Sequence, residues 1–133
     1  MKLKGAVVLL VLALAALGGM AAAQNTAFIG TPYASLSAAT ATGPGTAFKV
    51  QPASYSYTWT VVTGGTVTSA TVNFEGSLDG STWYVLDVAS TSDTNWSSGE
   101  MRHVVNKPTN YLRMNVVSIA GGGSLTGTFS LFR

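Results

Sequence analysis

The feature that most constrains the fold of this chain is a series of short runs in which apolar and polar residues alternate. The clearest run, at positions 55–62, reads YSYTWTVV, and its three aromatic residues share one side of an extended strand with Val61. Similar runs follow about every ten residues, separated by turn signals such as Gly64-Gly65 and Asp79-Gly80. No helical pattern of useful length follows Ala23. The alternation predicts a single antiparallel β-sandwich of immunoglobulin or jelly-roll type, with about seven strands.

The first 23 residues differ from everything after them. Lys2 and Lys4 precede an uncharged apolar stretch, and Ala21-Ala22-Ala23 fits the small-residue pattern of a signal-peptidase site. The stretch 5–23 lies at the short end of the ~17–25 residues that a helix needs to cross a bilayer. The sequence therefore predicts an exported protein in which residues 1–23 are a signal peptide or a retained apolar helix. Membrane contact is expected only through this segment, if it is uncleaved.

The next segment, residues 24–45, is rich in Ala, Thr, Ser and Gly. We predict that it is an extended arm, or a first irregular strand, which precedes a sandwich domain at residues 46–133. As an arm it is expected to lie on, or add a strand to, a neighbouring subunit. The candidate assembly residues of this arm are its large apolar side chains, Phe28, Ile29, Tyr33 and Leu36.

The charge balance narrows the range of partners. The net charge of +2 comes from Lys2 and Lys4, so the remainder of the chain is neutral. A neutral domain lacks the basic surface that nucleic-acid binding requires, and a net charge near zero favours association. Because the chain contains no cysteine, its stability must come from its core or from neighbouring subunits and not from disulfides.

The residue types used in catalysis have structural explanations in this sequence. His103 is the single histidine, and no G-x-S-x-G motif accompanies it. Glu75 alternates with Phe74 and is predicted to face solvent, while Asp79 begins an Asp-Gly turn. The polar loop that contains Asp93 lacks the Gly and Glu of an EF-hand calcium loop. We therefore predict no enzymatic activity, no catalytic residues, no cofactor and no metal site.

Several aromatic residues suggest a contact surface. Trp83 and Tyr84 are consecutive in a predicted strand, so they face opposite sides and one of them lies outside the core. Trp96 falls in a polar loop, where either local packing or an exposed contact explains it. Exposed aromatic side chains are suited to stacking on sugars and to subunit contacts. The candidate contact or ligand surface comprises Trp83, Tyr84, Asp93, Asn95 and Trp96.

Three segments carry a resemblance to a known group of proteins. They are GPGTAFKV at 43–50, TVNFEGSLDGSTWYVL at 71–86 and YLRMNVVSIAGGGSLTGTF at 111–129. Together they resemble small β-sandwich modules of tailed-phage and prophage structural proteins, which carry EGS-DG-TW on a central hairpin and a late Y-R-N-V strand before a Gly-rich turn. Similar segments also occur in carbohydrate-binding and discoidin-like sandwiches. The phage resemblance implies a structural role at a virion surface.

Two functions of different class agree with these features. The first is a non-enzymatic structural subunit of an extracellular or virion surface assembly, which contacts copies of itself or other subunits through its arm and sandwich. The second is a secreted, monomeric glycan-binding β-sandwich module. Neutrality, the arm and the phage resemblance favour the first. Either function places the protein outside the cell, at the cell surface or on a phage particle.

Overall fold

The computed structural model describes residues 25–93 and 96–133, and the predicted signal peptide or apolar helix at 1–23 lies outside them. The described residues form ten β-strands. Their bounds are β1 (Asn25–Ala27), β2 (Tyr33–Ala39), β3 (Gly43–Pro44), β4 (Phe48–Val50), β5 (Ser56–Gly64), β6 (Ser69–Ser77), β7 (Tyr84–Ser90), β8 (Gly99–Val104), β9 (Tyr111–Ala120) and β10 (Ser124–Phe132). None of the described residues belongs to a helix long and apolar enough to span a membrane.

The strands form two sheets that enclose a common core. Sheet A has the order β1-β4-β9-β6-β7, with β3 also paired to β9, and sheet B has the order β2-β10-β5-β8. The paired strands run antiparallel, except that β1 and β4 are parallel. This arrangement confirms the all-β sandwich. The expected number of about seven strands was too low, because the segment before β4 adds three more.

Those three additional strands lie in residues 25–44, which the sequence suggested to be an extended arm. β1 pairs with β4 in sheet A, whereas β2 pairs with β10 in sheet B. Between them, where the chain passes from one sheet to the other, Ile29 forms an isolated β-bridge with Leu131. The segment thus forms backbone pairs within its own chain.

Most of the large apolar side chains of this segment also pack against their own chain. Leu36 is buried in the core, and Ile29 and Tyr33 are partly buried against it. The ring of Tyr33 lies 5.2 Å from that of Phe48, measured between centroids. Among the four candidate assembly residues, Phe28 is the one that is largely exposed.

An aromatic cluster occupies the centre of the core. Phe74 of sheet A stacks on Trp59 of sheet B, with ring centroids 5.4 Å apart and an interplanar angle of 10°. Tyr57 and Phe129 approach the same Phe74 ring at 6.0 and 5.8 Å. The alternation within β5 directs its aromatic side chains into this cluster, as the sequence predicted. Tyr55 is different, because it precedes the strand and is exposed.

Replacing Phe74 by alanine is expected to lower the free energy of unfolding by about 3–5 kcal/mol, because the change leaves a cavity among three other rings. Urea denaturation followed by tryptophan fluorescence measures the loss. The control is Val85→Ala on the exposed side of neighbouring β7, which is expected to change stability by less than about 0.5 kcal/mol. Similar losses for the two variants would contradict the central position of Phe74.

Candidate contact surface at one end of the sandwich

β7 separates the candidate contact residues that the structure describes into two groups. Trp83 and Tyr84 lie at its start, whereas Asp93 and Trp96 follow its end. Asn95 lies outside the described residues. A strand of this length spans on the order of 20 Å, so the two groups occupy opposite ends of the sandwich. The structure therefore does not unite these residues in one surface.

Asp93 and Trp96, which follow β7, form hydrogen bonds within their own chain. The Asp93 carboxylate accepts a hydrogen bond from the N–H of Ser90 at 3.0 Å, and the N–H of Trp96 donates to the Asp93 carbonyl at 3.1 Å. The Trp96 side chain is partly buried against the core, in agreement with local packing. In the described part of the chain, no three His, Asp or Glu side chains are grouped so as to hold a metal ion.

Trp83 belongs to an ionic cluster on the outer face of sheet A. Its ring lies over the Arg113 guanidinium, with 4.1 Å from Cζ to the ring centroid. Arg113 Nε donates to Glu75 at 2.7 Å, and the Asn115 amide donates to the other oxygen of Glu75 at 2.9 Å. Glu75 is consequently only 6% exposed. The expectation that it faces solvent was wrong, because side chains from β9 cover it. We refer to Glu75, Trp83, Arg113 and Asn115 as the Glu75 cluster.

The turn between β6 and β7 is fixed by Asp79. Its carboxylate accepts hydrogen bonds from the N–H groups of Thr82 and Ser81, both at 2.8 Å, and from the Ser77 hydroxyl at 2.9 Å. These bonds hold the pKa of Asp79 well below its ordinary value. Gly80 follows with a φ of 76°, a conformation that favours glycine. The hairpin predicted from Asp79-Gly80 is confirmed.

Beside this turn, large apolar side chains are exposed. Leu78 and Tyr84 are 71% and 68% exposed, and Tyr55 of the β4–β5 loop is 42% exposed. Leu78 and Tyr55 line a depression of about 390 Å³, whose wall also includes Pro52 and Pro108. We call the surface formed by Pro52, Tyr55, Leu78, Tyr84 and Pro108 the apolar end.

Hydrogen bonds between loops brace the apolar end. The N–H of Lys107 donates to the carbonyl of Tyr55 at 3.2 Å, and the side-chain amide of Asn110 donates to the carbonyl of Leu78 at 2.9 Å. Ala53, in the wall of the depression, has a φ of 67°, which costs an L-residue roughly 1–2 kcal/mol. Strain of this kind is concentrated at functional sites. An apolar group held on braced loops loses little conformational freedom when it contacts a partner.

A second ionic cluster joins the two sheets where β7 faces β8. Arg102 binds both carboxylate oxygens of Asp87, through Nε at 2.8 Å and Nη2 at 3.0 Å, and donates through Nη1 to Glu100 at 2.7 Å. Asp87 also accepts from the indole N–H of Trp59 at 3.1 Å. Burial opposes ionisation of Asp87, but hydrogen bonds from Arg102, the N–H of Val88 and Trp59 outweigh it and lower its pKa. We refer to Trp59, Asp87, Glu100 and Arg102 as the Arg102 cluster.

Of the apolar end, Tyr84 alone was among the contact residues predicted from the sequence, and the Arg102 cluster was not predicted. A signal for the cluster is present, since Arg102 and Val104 share a face of their strand and a charge on the face of a buried valine needs a partner. On the opposite face, His103 is exposed, with Nδ1 3.0 Å from the Thr58 hydroxyl.

Comparisons with known proteins place a solved structure among the neighbours of this chain. No protein-family model matches the chain, and no curated protein matches it. A crystal structure of the SPBc2 prophage-derived protein YomS is similar, with 19% identity and a TM-score of 0.49 over 74% of this chain and 90% of that chain.

Replacing Arg102 by methionine is expected to lower the free energy of unfolding by about 3 kcal/mol, because Asp87 and Glu100 lose their shared cation. This loss of stability is at the lower end of the range for broken buried ion pairs, because the Arg102 side chain is 30% exposed to solvent. Urea denaturation measures the loss. Arg133→Met, at an exposed position, is expected to cost less than about 0.5 kcal/mol. A stable Arg102→Met variant would contradict a stabilising role for the cluster.

The pH dependence of stability follows from Asp87. Its pKa in the folded state lies below the value of about 3.9 in an unfolded chain, so the ionised form stabilises the fold at neutral pH. This contribution is lost as the pH falls below about 5 and the carboxylate is protonated. Asp87→Asn should therefore lower stability at pH 7 and flatten the decline towards pH 2. Parallel wild-type and variant curves of unfolding free energy against pH would rule this out.

Proposed function

We propose that this protein is a non-enzymatic structural subunit of an extracellular or virion surface assembly, and that it associates with copies of itself through its sandwich. The observation that supports this most directly is the apolar end. Leu78 and Tyr84 expose most of their surface on a braced turn, where their exposure does not result from a loose chain. Clusters of exposed apolar residues mark protein–protein contacts on soluble domains.

The surroundings of the apolar end fit the same function. Lys49, Gln51 and Asn110 line the depression together with its apolar residues. An apolar centre with polar groups around it is the usual composition of a protein interface. A subunit of neutral net charge also meets little electrostatic repulsion from further copies.

The contacts that the carboxylates make within the domain support a non-enzymatic role. Glu75, Asp87 and Glu100 each bind an arginine in an ionic cluster. Asp79 and Asp93 accept backbone N–H groups at turns. A general acid or base must be within reach of a substrate proton, whereas these groups are committed to partners in their own chain.

We assign the self-contact to the sandwich and not to an arm, because β1 and β2 pair within their own chain. The alternative of a glycan-binding module loses support for a similar reason. Its aromatic residues lie at opposite ends of β7, and one face of the Trp83 ring is covered by Arg113.

Leu78→Asp is expected to reduce the particle mass of the purified full chain at least twofold, because it places a charge at the centre of the apolar end. Light scattering after size-exclusion chromatography measures the mass, and the far-UV circular dichroism spectrum should stay unchanged because the residue is exposed. Val117→Asp is the matched control, being an exposed valine on β9 outside the apolar end. A wild-type protein that is monomeric at all concentrations would overturn the proposal.

A further inference from the structure

Each sheet of a sandwich has two edge strands, and three of the four edges here are protected. β1 is only three residues long. β2 is covered by Thr46, whose N–H donates to the Ser35 carbonyl at 2.8 Å while its carbonyl accepts from the Ser35 hydroxyl. β7 contains a register shift, and the carbonyl of Leu86 accepts from the Lys107 ammonium at 2.8 Å. Short strands, bulges and lysines are the features that prevent edges from pairing with other chains.

The fourth edge, β8, lacks these features. It pairs with β5 through six consecutive residues without a register shift, and it contains neither proline nor lysine. Within residues 25–93 and 96–133, no side chain bonds to its backbone. With respect to the described residues, its outward backbone groups are thus available to a further strand. Met101, in the middle of β8, is 63% exposed.

The pairing with β5 divides the side chains of β8 between two faces. Met101 lies opposite Thr60 on the outer face of sheet B, whereas Glu100 and Arg102 point between the sheets. In an antiparallel pair, directly opposite residues lie on the same face. If β8 pairs with its own copy about a two-fold axis perpendicular to the sheet, each side chain keeps its face. The axis must therefore pass through a residue, because an axis through a peptide bond would place residues of different faces opposite each other.

We propose that β8 pairs antiparallel with β8 of a second copy of this chain, with Met101 on the two-fold axis, so that sheet B becomes continuous across a dimer. This register places Glu100 directly opposite the partner's Arg102, twice in each dimer. An axis at Arg102 instead would place two guanidinium groups opposite each other. Opposite charges stabilise such pairs and like charges destabilise them, so the charges select Met101. The inference rests on the proposed self-association and assigns one of its interfaces.

The same charges favour a second copy over an unrelated strand. Inward-pointing charges on an edge strand oppose its pairing with an unrelated strand. Alternating charges on one strand are instead satisfied by an antiparallel copy of that strand. In the described part of the chain, Glu100 Oε2 is buried without a hydrogen-bond partner. The proposed pairing brings a second guanidinium beside this carboxylate.

The register can be tested with a single thiol, because the chain has no cysteine. Cα atoms directly opposite in an antiparallel pair are about 4.5–5.5 Å apart, within the range of about 4.4–6.8 Å for a disulfide. Oxidation of full-length Met101→Cys with diamide should therefore give a covalent dimer as the main band on a non-reducing gel. Reduction should return it to the monomer.

Two control variants place the thiol elsewhere on the same outer face. Thr60→Cys moves it to β5, where three strand spacings separate the two copies by about 14 Å. His103→Cys keeps it on β8 but two residues from the axis. Neither should form the dimer efficiently. Cross-linking of the controls to the same extent as Met101→Cys, or of none of the three, would overturn the inference.

Charge repulsion provides a second test. Met101→Lys places two ammonium groups opposite each other on the axis and should reduce the particle mass at least twofold, whereas Thr60→Lys should not. If the wild-type protein is multimeric but Met101→Lys leaves its mass unchanged, the β8 interface is wrong and the proposed function stands. If the wild-type protein is monomeric at all concentrations, both fail.

Discussion

The Trp59 indole is buried between the sheets, and a series of contacts from both sheets depends on it. Its ring stacks on Phe74 and thereby joins sheet B to sheet A. Its N–H, removed from water, needs an acceptor, which Asp87 provides from the opposite sheet. A partly buried carboxylate needs a cation in turn, and Arg102 supplies it in a bidentate arrangement. One large side chain thus links β5, β6, β7 and β8 through apolar and polar contacts together.

The two ionic clusters show the structural role of the few charged side chains in this chain. The Glu75 cluster docks the β6–β7 hairpin on β9, and the residues that meet in it come from the EGS-DG-TW and Y-R-N-V segments. Hairpin docking therefore accounts for these motif residues without a ligand. The five side-chain carboxylates that follow residue 23 thus all bind groups of their own fold. Exposed apolar side chains such as Leu78 and Met101 are suited to association.

The sequence predicted the strands after residue 45 because each is half-buried, and half-burial produces the alternation that can be recognised. β2 was predicted only as an alternative to an extended arm, since its sequence YASLSAA contains small residues and only Leu36 enters the core fully among its large ones. Its strand conformation depends on pairing with β10, far away in the chain. Glu75 and Arg113 are separated by 38 residues, so their contact has no local signature. The apolar end arises from three loops whose proximity only the fold creates.

The pairing of β2 with β10 has a consequence for how the chain acquires its fold during synthesis. A hydrogen bond between these strands joins Ala38 to Thr126, which are 88 residues apart. Translation delivers a chain from its N-terminus, so β2 is made before its partner β10. Sheet B therefore closes late, and contacts between such distant residues make folding slow.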